Sequence, residues 1–467
     1  KFDRKETRFL ATTLEGQAIL KKHIREFAKL EHNYSALGLS RLKALKELLQ
    51  TLIMVITEKP MENAPLPLMK RDKEGQPLLS HEEYLAEARV RLENLYAHNA
   101  FHIKTFSERA TMGKIGCSYY EVVEGSQLHS VTLRHYPLPK GYTSNGRVLY
   151  LASPLINKPE IYDLAKGKSV IEGMLKEGYT LYLVDPGNPG PEGCDLGLDF
   201  YGKTVHDLYL RLIGERHPNQ EIDAMGYCMG GTLFLPYLAR RAEERLAEGK
   251  QLDIRKVALM ASPFKFDDDA SGHSPMRSTI FKDYDSYLMT EMYGDVNIPP
   301  QIIEVGMNEI QPGVRYNVAN GFYSRAGYPN AIEDAAPFLY WLTHGTKFAA
   351  RAHSEWIKNI FVGNGIINGT FALSSSNPDL DGKPVDMEIL KKANVTIFDY
   401  RGKRDPISPI GSCVASELWG QVNDGNIATN RNTMNRTVEK NIGHIFVVSR
   451  KLLAEFIDSV TAFFRDE

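Results

Sequence analysis

The sequence predicts an α/β fold, a mostly parallel, doubly wound β-sheet with an inserted cap and an N-terminal helical domain. From residue 115 onward, apolar strand-like runs alternate with amphipathic helix-like runs, and repeated βα units of this kind form parallel sheets. At residues 226–231 a turn between a predicted strand and a predicted helix reads Gly-x-Cys-x-Gly-Gly. A glycine-flanked turn of this kind is where such sheets present a nucleophile.

The predicted elements of the sheet domain are short strands that alternate with longer helices. We expect strands at residues 119–123, 130–135, 147–151, 181–184, 221–226, 257–260 and 394–400, and helices at residues 161–177, 204–213, 231–248 and 450–464.

Two domains follow from the change of pattern along the chain. Residues 1–112 place apolar side chains at three- and four-residue intervals, which predicts an N-terminal helical domain with helices at 12–30, 40–57 and 81–107. Ser80 is the expected N-cap of the third helix. Both a packed bundle and a partner- or surface-binding role remain open for this domain.

Residues 113–467 form the predicted catalytic domain. Within it, residues 265–390 are rich in Tyr, Phe, Met, Asn and Pro and lose the strand–helix alternation. Long loops without structure of their own are uncommon, so this stretch predicts a cap inserted between two strands of the sheet.

The composition is that of an ordinary globular protein. The 467 residues are 43% hydrophobic and 24% charged, and the formal net charge of −2 argues against nucleic-acid binding. The longest early apolar run, residues 52–56, is too short for a transmembrane span, and no signal peptide is visible. Scattered cysteines without a CxxC pair argue against a zinc site and a disulfide framework, and suggest a reducing, cytoplasmic location. The cysteines are Cys117, Cys194, Cys228 and Cys413.

Cys228 is the candidate nucleophile. A thiol nucleophile requires a base, and the base requires an orienting group. In sheet hydrolases the chain order is nucleophile, acid, histidine. Asp405 follows the strand predicted at residues 394–400, and His444 precedes the terminal helix. Both therefore occupy the places where an α/β-hydrolase fold presents its acid and its base.

Each of these residues also has a structural interpretation when it is taken singly. A free cysteine is commonly buried, Asp405 could form a surface ion pair with Arg404, and a histidine near a helix start is often structural. Asp399 is the alternative acid, although a strand residue is expected to face a neighbouring layer. His344 and His353, in the presumed cap, are the poorer candidates for the base.

An oxyanion hole requires two N–H donors directed at the reacting carbonyl. The first would be the backbone N–H of Met229, the residue after the nucleophile. The second would come from Leu155 or Ile156 in the loop at residues 153–158, after an early strand. The side chain of Asn157 is expected to fix this loop.

These residues together resemble the polyhydroxyalkanoate synthases, Cys-dependent acyltransferases of the α/β-hydrolase fold. The resemblance covers roughly residues 113–465. It is carried by the motif at residues 226–232, the early loop at 156–164, the strand end at 185–189, the cap segments at 338–341 and 364–369 with His353, the acid loop at 405–409 and the histidine loop at 443–445.

The resemblance implies a mechanism. Cys228 would attack a (R)-3-hydroxyacyl-CoA thioester with help from His444, hold the acyl group as a thioester and transfer it to a hydroxyl chain end. Asp405 would orient His444 or help to activate that hydroxyl. No cofactor is expected, because the CoA thioester is the substrate. Candidate substrate-pocket residues are Asn157, Asp185 and Trp341.

Two other functions stay open at the level of sequence. A Cys-dependent esterase, thioesterase or polyhydroxyalkanoate depolymerase would differ only in the access of water to the acyl-Cys intermediate. A non-enzymatic protein of a granule or membrane surface is the third interpretation. Expected partners are hydroxyacyl-CoA and a polymer granule surface, with a homodimer left open and no nucleic acid.

Overall fold

The computed structural model describes residues 72–465, apart from positions 75, 77, 219 and 329 and the segments 268–283, 311–313 and 423–433. The helices predicted at residues 12–30 and 40–57 lie outside the described residues. Two compact units emerge. The first combines the chain up to Gly113 with Met307–Tyr340, and the second combines Lys114–Gly306 with the chain from Trp341 onward.

The described α-helices and β-strands are numbered separately in chain order. The helices are α1 His81–Ala97, α2 Ile103–Ala110, α3 Val170–Lys176, α4 Val205–Arg216, α5 Met229–Ala247, α6 Ser286–Tyr293, α7 Pro300–Ile310, α8 Val314–Arg325, α9 Ala331–Thr343, α10 Ala350–Glu355, α11 Ile389–Lys392, α12 Ala415–Leu418 and α13 Arg450–Phe464. The strands are β1 Glu121–Val122, β2 Thr132–Tyr136, β3 Val148–Ala152, β4 Asp163–Ala165, β5 Lys168–Ser169, β6 Thr180–Asp185, β7 Ile222–Tyr227, β8 Ile254–Met260, β9 Thr396–Gly402 and β10 Arg436–Lys440.

The first unit is helical in its described part. Helix α1 begins with a capping box, in which Glu83 N–H donates to Ser80 Oγ (3.2 Å) and Ser80 N–H donates to Glu83 Oε2 (2.7 Å). The predicted N-cap is confirmed. The single helix predicted at 81–107 is instead two helices, because Asn99 adopts a positive φ of 49° between them.

The core of this unit joins α1 and α2 to α8 and α9. Phe106 and Phe322 stack with ring centroids 5.9 Å apart. Residues 307–340 were assigned to the cap from the sequence, and in the structure they cluster with the helical unit. The buried members of the core are Leu95, Ala100, Phe106, Phe322, Ala326, Ile332, Ala336 and Leu339.

The second unit is organised by one mostly parallel sheet. Its described strands run in the order β1-β2-β6-β3-β7-β8-β9-β10. The pairs β1–β2 and β2–β6 are antiparallel, and all the others are parallel. The small hairpin β4–β5 lies outside the sheet. This mostly parallel sheet, with the Gly-x-Cys-x-Gly-Gly turn between β7 and α5, is the α/β-hydrolase fold, and the predicted fold class is confirmed.

The central strands are apolar along their whole length because both faces of the sheet are covered. All five residues of β3 and all six of β7 are buried. Continuous burial of this kind is typical of parallel sheets between helix layers. It explains why these strands are the ones that the sequence predicts most clearly.

The helix predicted at residues 161–177 is wrong in its first half, where a 3-10 turn and the hairpin β4–β5 precede α3. Asp163 accepts hydrogen bonds from the N–H of Cys117 (3.1 Å) and from Ser169 Oγ (2.5 Å). Gly167 turns the hairpin at a φ of 75°. These side-chain bonds offer the backbone an alternative to the helix.

Candidate active site

The turn that carries Cys228 is a strained strand-to-helix elbow. Cys228 has φ 51° and ψ −127°, between the end of β7 and the start of α5. A residue other than glycine rarely adopts such a conformation, and strain of this kind clusters at functional sites. The backbone N–H of Cys228 donates to the carbonyl of Met260 (2.9 Å), which ties the elbow to β8.

The glycines of the motif are required by close approach of the backbone. A Cβ on Gly226 would lie 2.8 Å from the backbone nitrogen of Gly231. A Cβ on Gly230 would lie 2.5 Å from the carbonyl oxygen of Ser153, and one on Gly231 would lie 2.9 Å from Ser262 Cβ. Real Cβ contacts are not this short, so the glycines of the Gly-x-Cys-x-Gly-Gly pattern are required by the close packing around the elbow.

Asp405 and His444 are brought together at the same edge of the sheet. His444 Nδ1 lies 2.7 Å from Asp405 Oδ2. The other carboxylate oxygen, Oδ1, accepts the N–H groups of Ile407 and Ser408, each at 2.9 Å. The side chain of Asp405 is fully buried, and its orientation is fixed by these three partners.

The electrostatics of His444 favour its charged form. Burial lowers the pKa of the imidazole, but the charges of Asp405 and Cys228 and the hydrogen bonds to both raise it well above its ordinary value. An imidazolium beside a thiol stabilises the thiolate, which is the nucleophilic form. The arrangement therefore favours an imidazolium at His444, beside the Cys228 side chain.

The predicted oxyanion loop packs against the first turn of α5. Met229 is the first residue of that helix, and its N–H has no partner within the helix. Leu155 is buried, whereas Ile156 is half-buried. Asn157 adopts a φ of 69° and its Oδ1 accepts the N–H of Lys158 (2.8 Å), so its side chain stabilises the loop.

The other two pocket candidates are engaged in the protein itself. Trp341 Nε1 donates to the carbonyl of Lys158 (2.8 Å), which braces the end of the oxyanion loop. Asp185 Oδ2 accepts from Arg134 Nε (2.9 Å), and Arg134 Nη1 also donates to Glu160 Oε1 (2.9 Å). In the structure these residues therefore support the loops that border the site.

The charged cluster around Arg134 was not predicted from the sequence. This guanidinium is 8% exposed and lies between the carboxylates of Asp185 and Glu160. The available signal was the single arginine in the strand predicted at residues 130–135, because an arginine requires a partner when it is buried.

The alternative acid and base residues lie elsewhere. Asp399 Oδ2 accepts the N–H of Ser416 (2.7 Å), away from His444, and burial raises its pKa to about 6. His353 Nδ1 lies 3.0 Å from Ser286 Oγ, and burial lowers its pKa to about 3. His344 Nδ1 lies 3.1 Å from the neighbouring Thr343 Oγ1.

A small, largely apolar cavity lies beside the oxyanion loop. It is lined by Leu155 of that loop, by Gly230 and Leu233 of α5, and by His206. The imidazole Nδ1 of His206 lies 2.6 Å from the hydroxyl of Tyr150, and burial lowers its pKa to about 3. His206 is thus a neutral lining residue of this cavity at ordinary pH.

All four cysteines are free, and Cys228 and Cys413 are buried. Within the described residues, no group of three or more His, Cys, Asp or Glu side chains could hold a metal ion. Among the described helices, none has the length and apolar character needed to cross a bilayer.

No model of a known protein family matches the chain. Over 293 residues it is 26% identical to "Poly(3-hydroxyalkanoate) polymerase subunit PhaC" of Haloferax mediterranei, which covers 62% of this chain and 55% of the relative. The protein of the same name from Thiocystis violacea is 24% identical over 355 residues, covering 75% of this chain and 87% of the relative. The resemblance to the polyhydroxyalkanoate synthases is confirmed.

The chain spans about half the length of the Haloferax relative that it matches. Among solved structures, it is similar to "The structure of DcsB complex with its substrate analogue", with a TM-score of 0.41 and 14% identity. That likeness covers 74% of this chain and 99% of the other.

Proposed function

We propose that this protein is an acyltransferase of the polyhydroxyalkanoate synthase type, which takes (R)-3-hydroxyacyl-CoA and holds the acyl group on Cys228. The observation that carries the proposal is the 2.7 Å bond between Asp405 and His444, in a chain whose Cys228 lies on the nucleophile elbow. The similarity to named polymerases supports the substrate class.

In the first half-reaction, the Cys228 thiolate forms a bond to the thioester carbonyl carbon. The oxyanion that develops would accept hydrogen bonds from the N–H of Met229 and from an N–H at Leu155 or Ile156. The bond from the carbonyl carbon to the CoA sulfur then breaks. CoA leaves as a thiol, because it takes the proton of the His444 imidazolium.

In the second half-reaction, a hydroxyl group attacks the acyl-Cys228 thioester. Neutral His444 takes the hydroxyl proton while the oxygen bonds to the carbonyl carbon, and the bond from that carbon to the Cys228 sulfur breaks. The products are an ester and a thiolate beside an imidazolium, which restores the starting state. Asp405 holds the imidazole in the orientation that both steps need.

The test is incubation with 3-hydroxybutyryl-CoA. We expect stoichiometric release of CoA together with ester-linked oligomer, and a Cys228→Ala variant should give neither. Release of CoA with free 3-hydroxybutyrate and no oligomer would favour the esterase or thioesterase alternative. Turnover by Cys228→Ala at the wild-type rate would refute both functions, because each requires the same nucleophile.

Two further expectations belong to the same proposal. A polymer granule is the expected surface partner in a cytoplasmic setting, and co-sedimentation with polyhydroxybutyrate granules measures that association. A homodimer is a second expectation, which analytical ultracentrifugation with and without the acyl-CoA would test.

A further inference from the structure

Tyr227 directly precedes Cys228 in the chain and contacts His444. It is the last residue of β7, directly before Cys228, and only 2% of it is exposed. Its hydroxyl donates to the backbone carbonyl of His444 (2.9 Å). Its ring also stacks on the His444 imidazole, with centroids 5.5 Å apart and an angle of 23° between the planes. One side chain therefore holds both the loop and the ring of His444.

A second tyrosine extends this contact to the oxyanion loop. The ring of Tyr162 meets that of Tyr227 edge to face, with centroids 6.1 Å apart. The Tyr162 hydroxyl donates to the carbonyl of Ala152 (3.1 Å), and Ala152 is the last residue before the oxyanion loop begins at Ser153. The two tyrosine rings thus join the segments that carry the proposed base and the proposed second oxyanion donor.

The surroundings of His444 give the ring contact an electrostatic consequence. Asp405 faces the imidazole from the loop after β9, and Cys228 faces it from the elbow. Burial raises the pKa values of Tyr227 and Tyr162 well above the ordinary value, so both phenols stay neutral. A cation within about 6 Å of an aromatic face is attracted by the ring quadrupole. The Tyr227 face therefore favours the imidazolium.

We propose that Tyr227 is a positioning residue for the Cys228–His444 pair: its hydroxyl fixes the histidine loop, and its ring orients the imidazole and favours the protonated form. The proposal rests on the proposed role of His444 as the base of Cys228. It goes beyond that role, because it assigns part of the reactivity of the thiol to the uncharged ring of a neighbouring residue.

The test is the pH dependence of Cys228 alkylation by iodoacetamide, followed on the Cys228 peptide by mass spectrometry. We expect Tyr227→Leu, which removes the ring, to shift the midpoint upward by about one pH unit, so that the thiol reacts about tenfold more slowly at a pH below the wild-type midpoint. Pentafluorophenylalanine at position 227 should shift the midpoint in the same direction, because it keeps the shape and reverses the ring quadrupole.

Two conservative variants separate the roles of ring and hydroxyl. Tyr227→Phe keeps the stacked ring, so it should retain the wild-type midpoint while acyl transfer falls about threefold through the lost bond to the His444 carbonyl. Tyr162→Phe keeps the edge contact and should also leave the midpoint unchanged. Both variants control for packing, because neither changes the size of the ring.

Wild-type midpoints in both the Leu and the pentafluorophenylalanine proteins would overturn the proposal. If the Leu variant does not fold, the pentafluorophenylalanine protein decides alone, since its ring fills the same space. The alkylation assay contains no acyl substrate, so its result does not depend on the proposed acyl-CoA. If the wild-type protein transfers no acyl group but the position-227 variants still shift the midpoint, the proposed substrate is wrong and the role of Tyr227 is supported. An unchanged midpoint in His444→Ala would overturn both proposals, because His444 would then not activate the thiol.

Discussion

Gly230→Ala tests whether the elbow and the oxyanion loop are held together by backbone contact. The added Cβ would lie 2.5 Å from the carbonyl oxygen and 2.6 Å from the carbonyl carbon of Ser153, and backbone atoms cannot rotate away as a side chain would. We therefore expect the loop at residues 153–158 to shift. A matched control is Gly214→Ala, because Gly214 lies in α4 with nothing within 4 Å of its Cβ position.

The two variants are expected to change the free energy of unfolding in different ways. Forcing a methyl group into packed backbone costs about 1–3 kcal/mol, whereas alanine in a helix gains about 1 kcal/mol over glycine. Gly230→Ala should therefore be neutral or destabilised, and Gly214→Ala should be stabilised. A displaced oxyanion donor costs on the order of a hundredfold in turnover, so activity should fall far more than stability in Gly230→Ala.

The assays are chemical unfolding and the rate of CoA release from 3-hydroxybutyryl-CoA. A Gly230→Ala protein with wild-type turnover would refute the claim that this contact positions the loop. Equal loss of turnover in Gly214→Ala would show that helix glycines in general, and not the approach of Gly230 to Ser153, limit the reaction.

Three further variants test single side chains. Cys228→Ala removes the thiolate charge, so the pKa of His444 should fall, and an unchanged imidazole titration by NMR would contradict the proposed pair of thiolate and imidazolium. Asp405→Asn removes the charge that most raises the pKa of His444, so alkylation of the Cys228 thiol should need a higher pH. Turnover should fall on the order of 10³-fold or more. A wild-type pH profile of alkylation would refute the role of the carboxylate. Asp185→Ala takes one carboxylate from the buried guanidinium of Arg134 and should cost about 3 kcal/mol of unfolding free energy with KM unchanged. A raised KM with wild-type stability would instead place Asp185 in the substrate pocket.

Local patterns were sufficient to predict the central sheet and the elbow. The strand predicted at residues 221–226 corresponds to β7, and the terminal helix was predicted at the bounds that α13 has. Both are strongly periodic or continuously apolar segments, and their signals arise within the segment itself. The placement of Asp405 and His444 followed from chain order and from their positions, Asp405 after a predicted strand and His444 before the predicted terminal helix.

Elements whose signals depend on tertiary contacts were not predictable in the same way. Strand β10 was missed because it lies at the sheet edge and alternates half-buried with exposed residues, without a strong apolar pattern. The hairpin at residues 163–169 depends on hydrogen bonds from Cys117 and Ser118 to Asp163, far along the chain. The stacking of Tyr227 on His444 joins residues that only the fold brings together.

Asp405 and His444 are brought close together by the pairing of two parallel strands. Gly402, the last residue of β9, pairs with Lys440, the last residue of β10. The pairing continues into the loops, because the Arg404 N–H donates to the carbonyl of Ile442 at 3.0 Å. Asp405 and His444 therefore lie in neighbouring loops after β9 and β10. The backbone hydrogen bonds that hold these loops together do not depend on either side chain. The edge strand β10, which was not predicted from the sequence, is thus the one that positions His444, the proposed base.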